Sequence, residues 1–126
     1  MPKSLQPDRK LALKRGAQAE ARALIYLQQQ GLALIAQNFS CRWGEIDLIM
    51  CQAQTLVFVE VRQRSSQRFG GAAASVGATK QARLWHTAEY YLQSRGQSGT
   101  RLPPCRFDLI AIDGEQVTWM KDIIGH

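Results

Sequence analysis

A single α/β domain, a mixed five-stranded sheet flanked by helices in the order α-β-β-β-α-β-β, is predicted by three observations on this 126-residue chain. Two long segments carry apolar residues at helical spacing. Five short runs are rich in Val, Ile, Leu and Phe, as strands are. Polar or Gly/Pro-containing breaks separate these segments, and the length suits one hydrophobic core.

Residues 1–7, with Lys3 between Pro2 and Pro7, read as a flexible basic tail, leaving 8–126 as the domain. Asp8 can cap a helix that runs to about Gln30 and stops at Gly31. Gly16 weakens its middle. Leu13, Ala17, Glu20, Leu24 and Leu27 recur at helical spacing and form one stripe. Glu20 therefore sits in the face that meets the core.

Leu32 to Phe39 reads as the first strand and Ser40 to Gly44 as a turn, with Gly44 free to take positive φ. Strands at 45–50 and 55–62 follow, joined by Cys51 to Gln54. Ser65 to Ala74 is small, polar and Gly-rich, a mobile loop by composition. A second helix spans about Ser75 to Ser94, burying Leu84, Ala88 and Tyr91, with Trp85 as a further candidate. Gln93 to Pro104 is a polar connection. Phe107 to Ile112 is the fourth strand, Asp113-Gly114 a turn, and Val117 to Ile123 the fifth strand. The first three strands form a meander, and the second helix crosses over to the fourth, which makes the sheet mixed.

Hydrophobic residues make up 45% of the chain and charged residues 21%, an ordinary globular composition. The net charge of +6 favours an anionic partner such as nucleic acid, with solubility as the bland alternative. Eleven of the sixteen basic residues are Arg, whose planar fork suits phosphate. Cys41, Cys51 and Cys105 lack CxxC spacing and are odd in number, which argues against a zinc site or a disulfide framework. Reduced thiols in the cytoplasm are the default. No signal peptide and no apolar run long enough to span a bilayer is present, so no membrane partner is expected.

The chemistry concentrates in Gly44-Glu45-Ile46-Asp47-Leu48-Ile49 and Leu56-Val57-Phe58-Val59-Glu60-Val61-Arg62. A carboxylate within an apolar strand is costly unless paired or bound to a cation. If Met50 pairs with Thr55, Asp47 lies opposite Phe58. Glu60 is then its diagonal neighbour at about 7–8 Å. Two carboxylates so placed can share one hard divalent cation. Arg62, two residues from Glu60, lies on the same strand face.

Gly16 and Glu20 on a first helix, Asn38 before a turn, Gly-Glu-Ile-Asp at 44–47, Phe-Val-Glu-Val at 58–61, Lys80 on a second helix and Arg106-Phe107-Asp108 resemble the YraN family of small bacterial proteins. That family resembles the Holliday-junction-resolvase-like branch of the PD-(D/E)xK nucleases. The likeness covers the chain from about Lys14 to Ile123. It implies a restriction-endonuclease-like core and metal-dependent endonuclease chemistry on DNA, branched or processed DNA included. It implies Asp47 and Glu60 as ligands of Mg²⁺ or Mn²⁺, the Val61 carbonyl as a further ligand, and Glu20 as the helix-borne acid. Glu45 fits the family pattern without a ligand role. Carboxylates suit such hard ions, which activate water and neutralise phosphate charge.

One position departs from the pattern: Arg62 stands where the superfamily has lysine. A guanidinium stays protonated and cannot serve as a general base, though it binds phosphate. Lys80 offers a substitute ammonium if the fold brings it to the site. The alternative to a nuclease is thus a nucleic-acid-binding module of the same fold that has lost turnover. A third reading is an adaptor whose acids are merely salt-bridged. Arg64 and Arg68, beside the mobile loop, and Lys80 are the candidate nucleic-acid contacts. Trp43 could stack on a base, but a tryptophan at a strand start is more often packing. His86 falls on a solvent face, and Arg106 with Asp108 braces the fourth strand. A homodimer would suit a two-stranded substrate.

Overall fold

The computed structural model describes residues 7–64, 77–96 and 102–124, the side chains of 7–15 and 64 excepted. Its elements are α1 (Pro7–Gln29), β1 (Ala33–Cys41), β2 (Gly44–Gln52), β3 (Thr55–Arg64), α2 (Ala78–Ser94), β4 (Cys105–Asp113) and β5 (Gln116–Met120). The sheet has the order β1-β2-β3-β4-β5. All its pairings are antiparallel except β3 with β4. A parallel neighbour cannot be reached by a tight turn, and α2 lies in the intervening crossover. The α/β class and the predicted order of elements hold. No helix among the described residues is long and apolar enough to cross a membrane.

The first helix opens at Pro7, so Pro7 is helical and Asp8 lies inside the first turn instead of capping it. The rest of that tail, the loop from Ser65 to Ala74 with Arg68, and Ser75 lie outside the described residues. The buried face of α1 is Ala19, Ala23 and Leu27, whereas Ala17 is exposed, contrary to the predicted stripe. Two alanines one turn apart let the helix axis approach the sheet. The helix is thereby rotated so that Glu20 and Leu24 flank the contact instead of centring it. Arg22 anchors this packing by donating to the carbonyls of Gly114 (2.9 Å) and Glu115 (3.0 Å) in the β4–β5 turn.

The core has two halves, one on each sheet face. Ala23 and Leu27 pack on Leu48, Met50, Val57, Val59 and Ile110. On the other face Leu84, Ala88 and Tyr91 pack on Ile46, Ile49, Phe58 and Phe107. Trp85, the further candidate for burial, is 45% exposed, its ring 5.6 Å from Phe107. The buried turn of α2 runs through Leu84, Thr87 and Ala88, which leaves Trp85 at its margin.

The β2–β3 hairpin closes two residues later than expected. Gln52 pairs with Thr55 and Met50 with Val57, leaving a two-residue turn with Ala53 at φ 54°. An even shift keeps the paired residues, Leu48–Gln52 and Thr55–Val59, on their predicted faces. Past the end of the ladder the predicted shared face of Asp47 and Glu60 is lost: Asp47 joins Glu20 on the α1 side, and Glu60 meets Lys80 of α2.

The fifth strand ends at Met120, short of the predicted Ile123. Asp122 takes φ 58° and donates its N–H to Asp108 Oδ1 at 2.9 Å, turning the chain back over the sheet. Asp108, fully buried, also accepts from the Trp119 indole (2.9 Å) and pairs with Arg106 (3.1 Å). Arg106 donates onward to Gln52 Oε1 at 2.7 Å, so the pair ties β4 to its neighbour β5 and, across β3, to the end of β2. Asp108→Ala strands these donors and is expected to lower unfolding stability by about 3–5 kcal/mol. The readout is the urea midpoint at unchanged m-value; a midpoint equal to wild type would refute the bracing role.

Candidate functional site

Two neighbouring strands break their alternation at the same level. Ile46 and Ile49 both join the α2 half of the core, while Leu48 and Met50 join the α1 half. Residues three apart cannot share a face in a regular strand, so the pleat is interrupted at Asp47. On β1, Ala36 and Phe39 both face α2, and Asn38 between them has φ 52°. Asparagine tolerates this left-handed conformation better than most residues. The irregularity aims Asn38 at α1, where it hydrogen-bonds the Glu20 carboxylate.

The β2–β3 ladder ends at the same level, at Leu48 with Val59. Past it, the Val61 N–H is not accepted by a β2 carbonyl but by Asp47 Oδ2, at 2.8 Å. A side chain thus caps the ladder, and the strands part beyond it. Around this fork, ligand oxygens of Glu20, Glu45 and Asp47 lie within 4.8 Å of one another. No ion pair to these three acids is found among the described residues.

Glu60 sits beside this trio, 6% exposed, and faces the other helix. Its Oε1 lies 3.5 Å from Arg62 Nε and 3.5 Å from Lys80 Nζ. Arg62 Nε is buried and has no hydrogen-bond partner among the described residues. The structure therefore brings Glu20, Asp47, Glu60, Arg62 and Lys80 to one fork, with the Val61 backbone held by Asp47. Arg64 continues β3 opposite Asp113, beyond the fork.

Glu45 was passed over as a ligand in the sequence. The available signal was its spacing: Glu45 and Asp47 are two apart on one strand and so share a face.

Crowded carboxylates in a partly dry site resist ionisation. Burial first, and the Glu60 charge second, push Asp47 from 3.8 up to about 7, against the opposing Val61 hydrogen bond. Burial also raises Glu20, with the Asn38 hydrogen bond opposing and Glu45 and Glu60 reinforcing. Burial raises Glu60, opposed chiefly by Lys80 and Arg62.

Residues 19–112 match the model of the Uncharacterised protein family UPF0102. The chain belongs to this family. It is 55% identical over 109 residues to a UPF0102 protein of Janthinobacterium sp. (strain Marseille), covering 86% of this chain and 85% of the relative. It is 57% identical over 114 residues to one of Ralstonia nicotianae, covering 87% and 85%. With one of Nitrosomonas europaea the identity is 51% over 111 residues, covering 86% and 91%. The UPF0102 match contains every residue of the fork, from Glu20 to Lys80.

An acid whose folded pKa lies above its unfolded value holds its proton more tightly when native. Its contribution is complete below about pH 4 and is lost as pH rises toward about 7. In EDTA, unfolding free energy should therefore fall across this window, with Asp47 contributing at most about 1.4 kcal/mol per pH unit. Asp47→Asn, which can still accept from Val61, should flatten the slope. An identical pH profile in the two proteins would show that Asp47 is not strained by its neighbours.

Proposed function

We propose that this chain is a metal-dependent endonuclease acting on DNA, with Glu20, Asp47, Glu60 and Arg62 at its centre. The observation that carries the reading is a trio of carboxylates, without an ion pair among the described residues, beside a fourth that holds an ammonium and a guanidinium. The donor set fits a hard cation: it is all carboxylate oxygen, its members crowd one another, and burial with the neighbouring acids pushes Asp47 to about 7. Asp47 and Glu60 would hold Mg²⁺ or Mn²⁺ with the Val61 carbonyl, and Glu45 joins Glu20 as a further donor. Such an ion supplies charge neutralisation on the scissile phosphate and activation of the attacking water.

The chain's own groups then do the following. The Asp47 hydrogen bond fixes the spacing of the two strands and hence of their acids. Arg62, its Nε held 3.5 Å from Glu60 and its side chain 31% exposed, presents a permanent cation to a phosphate oxygen. Lys80 reaches the same carboxylate from α2, so an ammonium is present although position 62 lacks one. Lys80 supplies a cation toward the DNA backbone, and Arg64 and Arg68 remain sequence candidates for further phosphate contacts, in keeping with a net charge of +6. A branched or processed DNA in the bacterial cytoplasm is the substrate that the resemblance favours. Two protomers would serve its two strands.

The second reading, a binding module that has lost turnover, is favoured by Arg62 alone. Labelled linear duplex, single-stranded and four-way-branched DNA, incubated with Mn²⁺, Mg²⁺ or EDTA, separate the two. Metal-dependent products are expected, reduced about 100-fold or more by Asp47→Ala, roughly 3 kcal/mol of transition-state stabilisation. Lys80→Ala should also cut the rate, and Arg62→Lys should raise it. Intact substrate in every lane, with salt-sensitive binding retained, would establish the second reading.

A further inference from the structure

A groove of about 530 Å³ leaves the fork and runs along α2, and nothing in the proposed chemistry uses its far end. Arg42 and Trp43, in the β1–β2 turn, form one wall; Lys80, Arg83 and His86 form the other. The walls stand close because Gly44, at φ 149°, lies under Thr87. A Cβ there would come 3.3 Å from Thr87 Oγ1. Lys80, Arg83 and Thr87 are spaced to share one helix face, so the α2 wall is a cationic stripe.

Trp43 is the exception in a basic groove. It is 41% exposed and belongs to neither half of the core, so the hydrophobic core does not account for it. Its indole lies 5.0 Å from the His86 ring, and the Arg42 guanidinium is 4.9 Å from its centroid. A part-exposed indole beside the Arg42 guanidinium, with Arg83 on the facing wall, matches a nucleobase with its phosphates. A base within a duplex is already stacked on its neighbours and cannot enter a concave groove. Glu45 and Lys80 line both this groove and the fork.

We propose that the groove is a subsite for an unpaired nucleotide of a DNA strand. The base stacks on Trp43, Arg42 and Arg83 hold its phosphates, and Lys80 marks the passage to the carboxylates. The substrate class thereby narrows to DNA with a single-stranded segment beside the scissile bond. This inference rests on the nuclease reading for its purpose but not for its test.

The test is the binding of a fluorescein-labelled single-stranded oligodeoxynucleotide, and of the same sequence as a blunt duplex, to the full chain in EDTA. Wild type should prefer the single strand. Trp43→Ala should weaken single-strand binding by about 5- to 150-fold, the range for loss of one stacked base, and leave duplex binding nearly unchanged. Trp43→Phe should keep most of the affinity, and Arg83→Ala should lower the salt dependence. Unaltered single-strand affinity in a folded Trp43→Ala protein, or equal losses on both DNAs, would overturn the proposal.

Photocrosslinking of a 5-iodouracil oligonucleotide to wild type needs no variant. Attachment at Trp43 supports the subsite, and attachment only elsewhere rejects it. If cleavage with Mn²⁺ is absent while Trp43-dependent binding persists, the nuclease reading fails and the subsite stands.

Discussion

The Val61 N–H held by the Asp47 carboxylate is the contact on which the rest of the site depends. A β-ladder normally ends where chains diverge and water takes the free amide. Here a side chain takes it, within a sheet buried on both faces by α1 and α2. An ionised carboxylate holds an amide more firmly than a neutral carbonyl does. The cost is desolvation of that charge, increased by Glu20, Glu45 and Glu60 around it. Native packing alone would be served as well by a neutral acceptor. The surplus charge is what makes the fork more than a structural termination.

Sequence periodicity was sufficient for the elements and their order, because each strand is long relative to its turns and each helix has an apolar face. It was insufficient wherever the backbone leaves the regular period. Alternation extrapolated through Asp47 misses the switch that lets Ile46 and Ile49 share a face. The hairpin register was misplaced by two residues because Cys51 and Gln52 look polar enough for a loop, yet the chain turns through Ala53 at positive φ. The rotation of α1 was hidden for another reason: alanines count weakly in a hydrophobic stripe, yet Ala19 and Ala23 set the closest approach to the sheet.

The candidate site was partly legible. Asp47 and Glu60 declare themselves as acids inside apolar runs, and the fold brings Glu20 to them. Glu45 did not stand out because its neighbours on either side, Gly44 and Ile46, read as a turn leading into a strand. Its companionship with Asp47 becomes visible only when both are placed on the α1 side, opposite the helix carrying Glu20. Lys80 could not be placed at all from the chain, since thirty-three residues of sequence separate it from Asp47.

Judged by its strand motif alone, Glu60-Val61-Arg62 lacks an ammonium. The fold restores one from a different element. Lys80 stands in the first turn of α2, whose position is fixed by the parallel crossover from β3 to β4 and by Gly44 beneath Thr87. An ammonium on a four-carbon stem can move as charge develops, whereas a guanidinium paired along its own strand stays where β3 puts it. Dividing the two tasks between Arg62 and Lys80 would keep a permanent phosphate anchor while leaving a mobile cation free to follow the reaction. Position 62 therefore need not decide whether such a site turns over; the distance between α2 and the fork does.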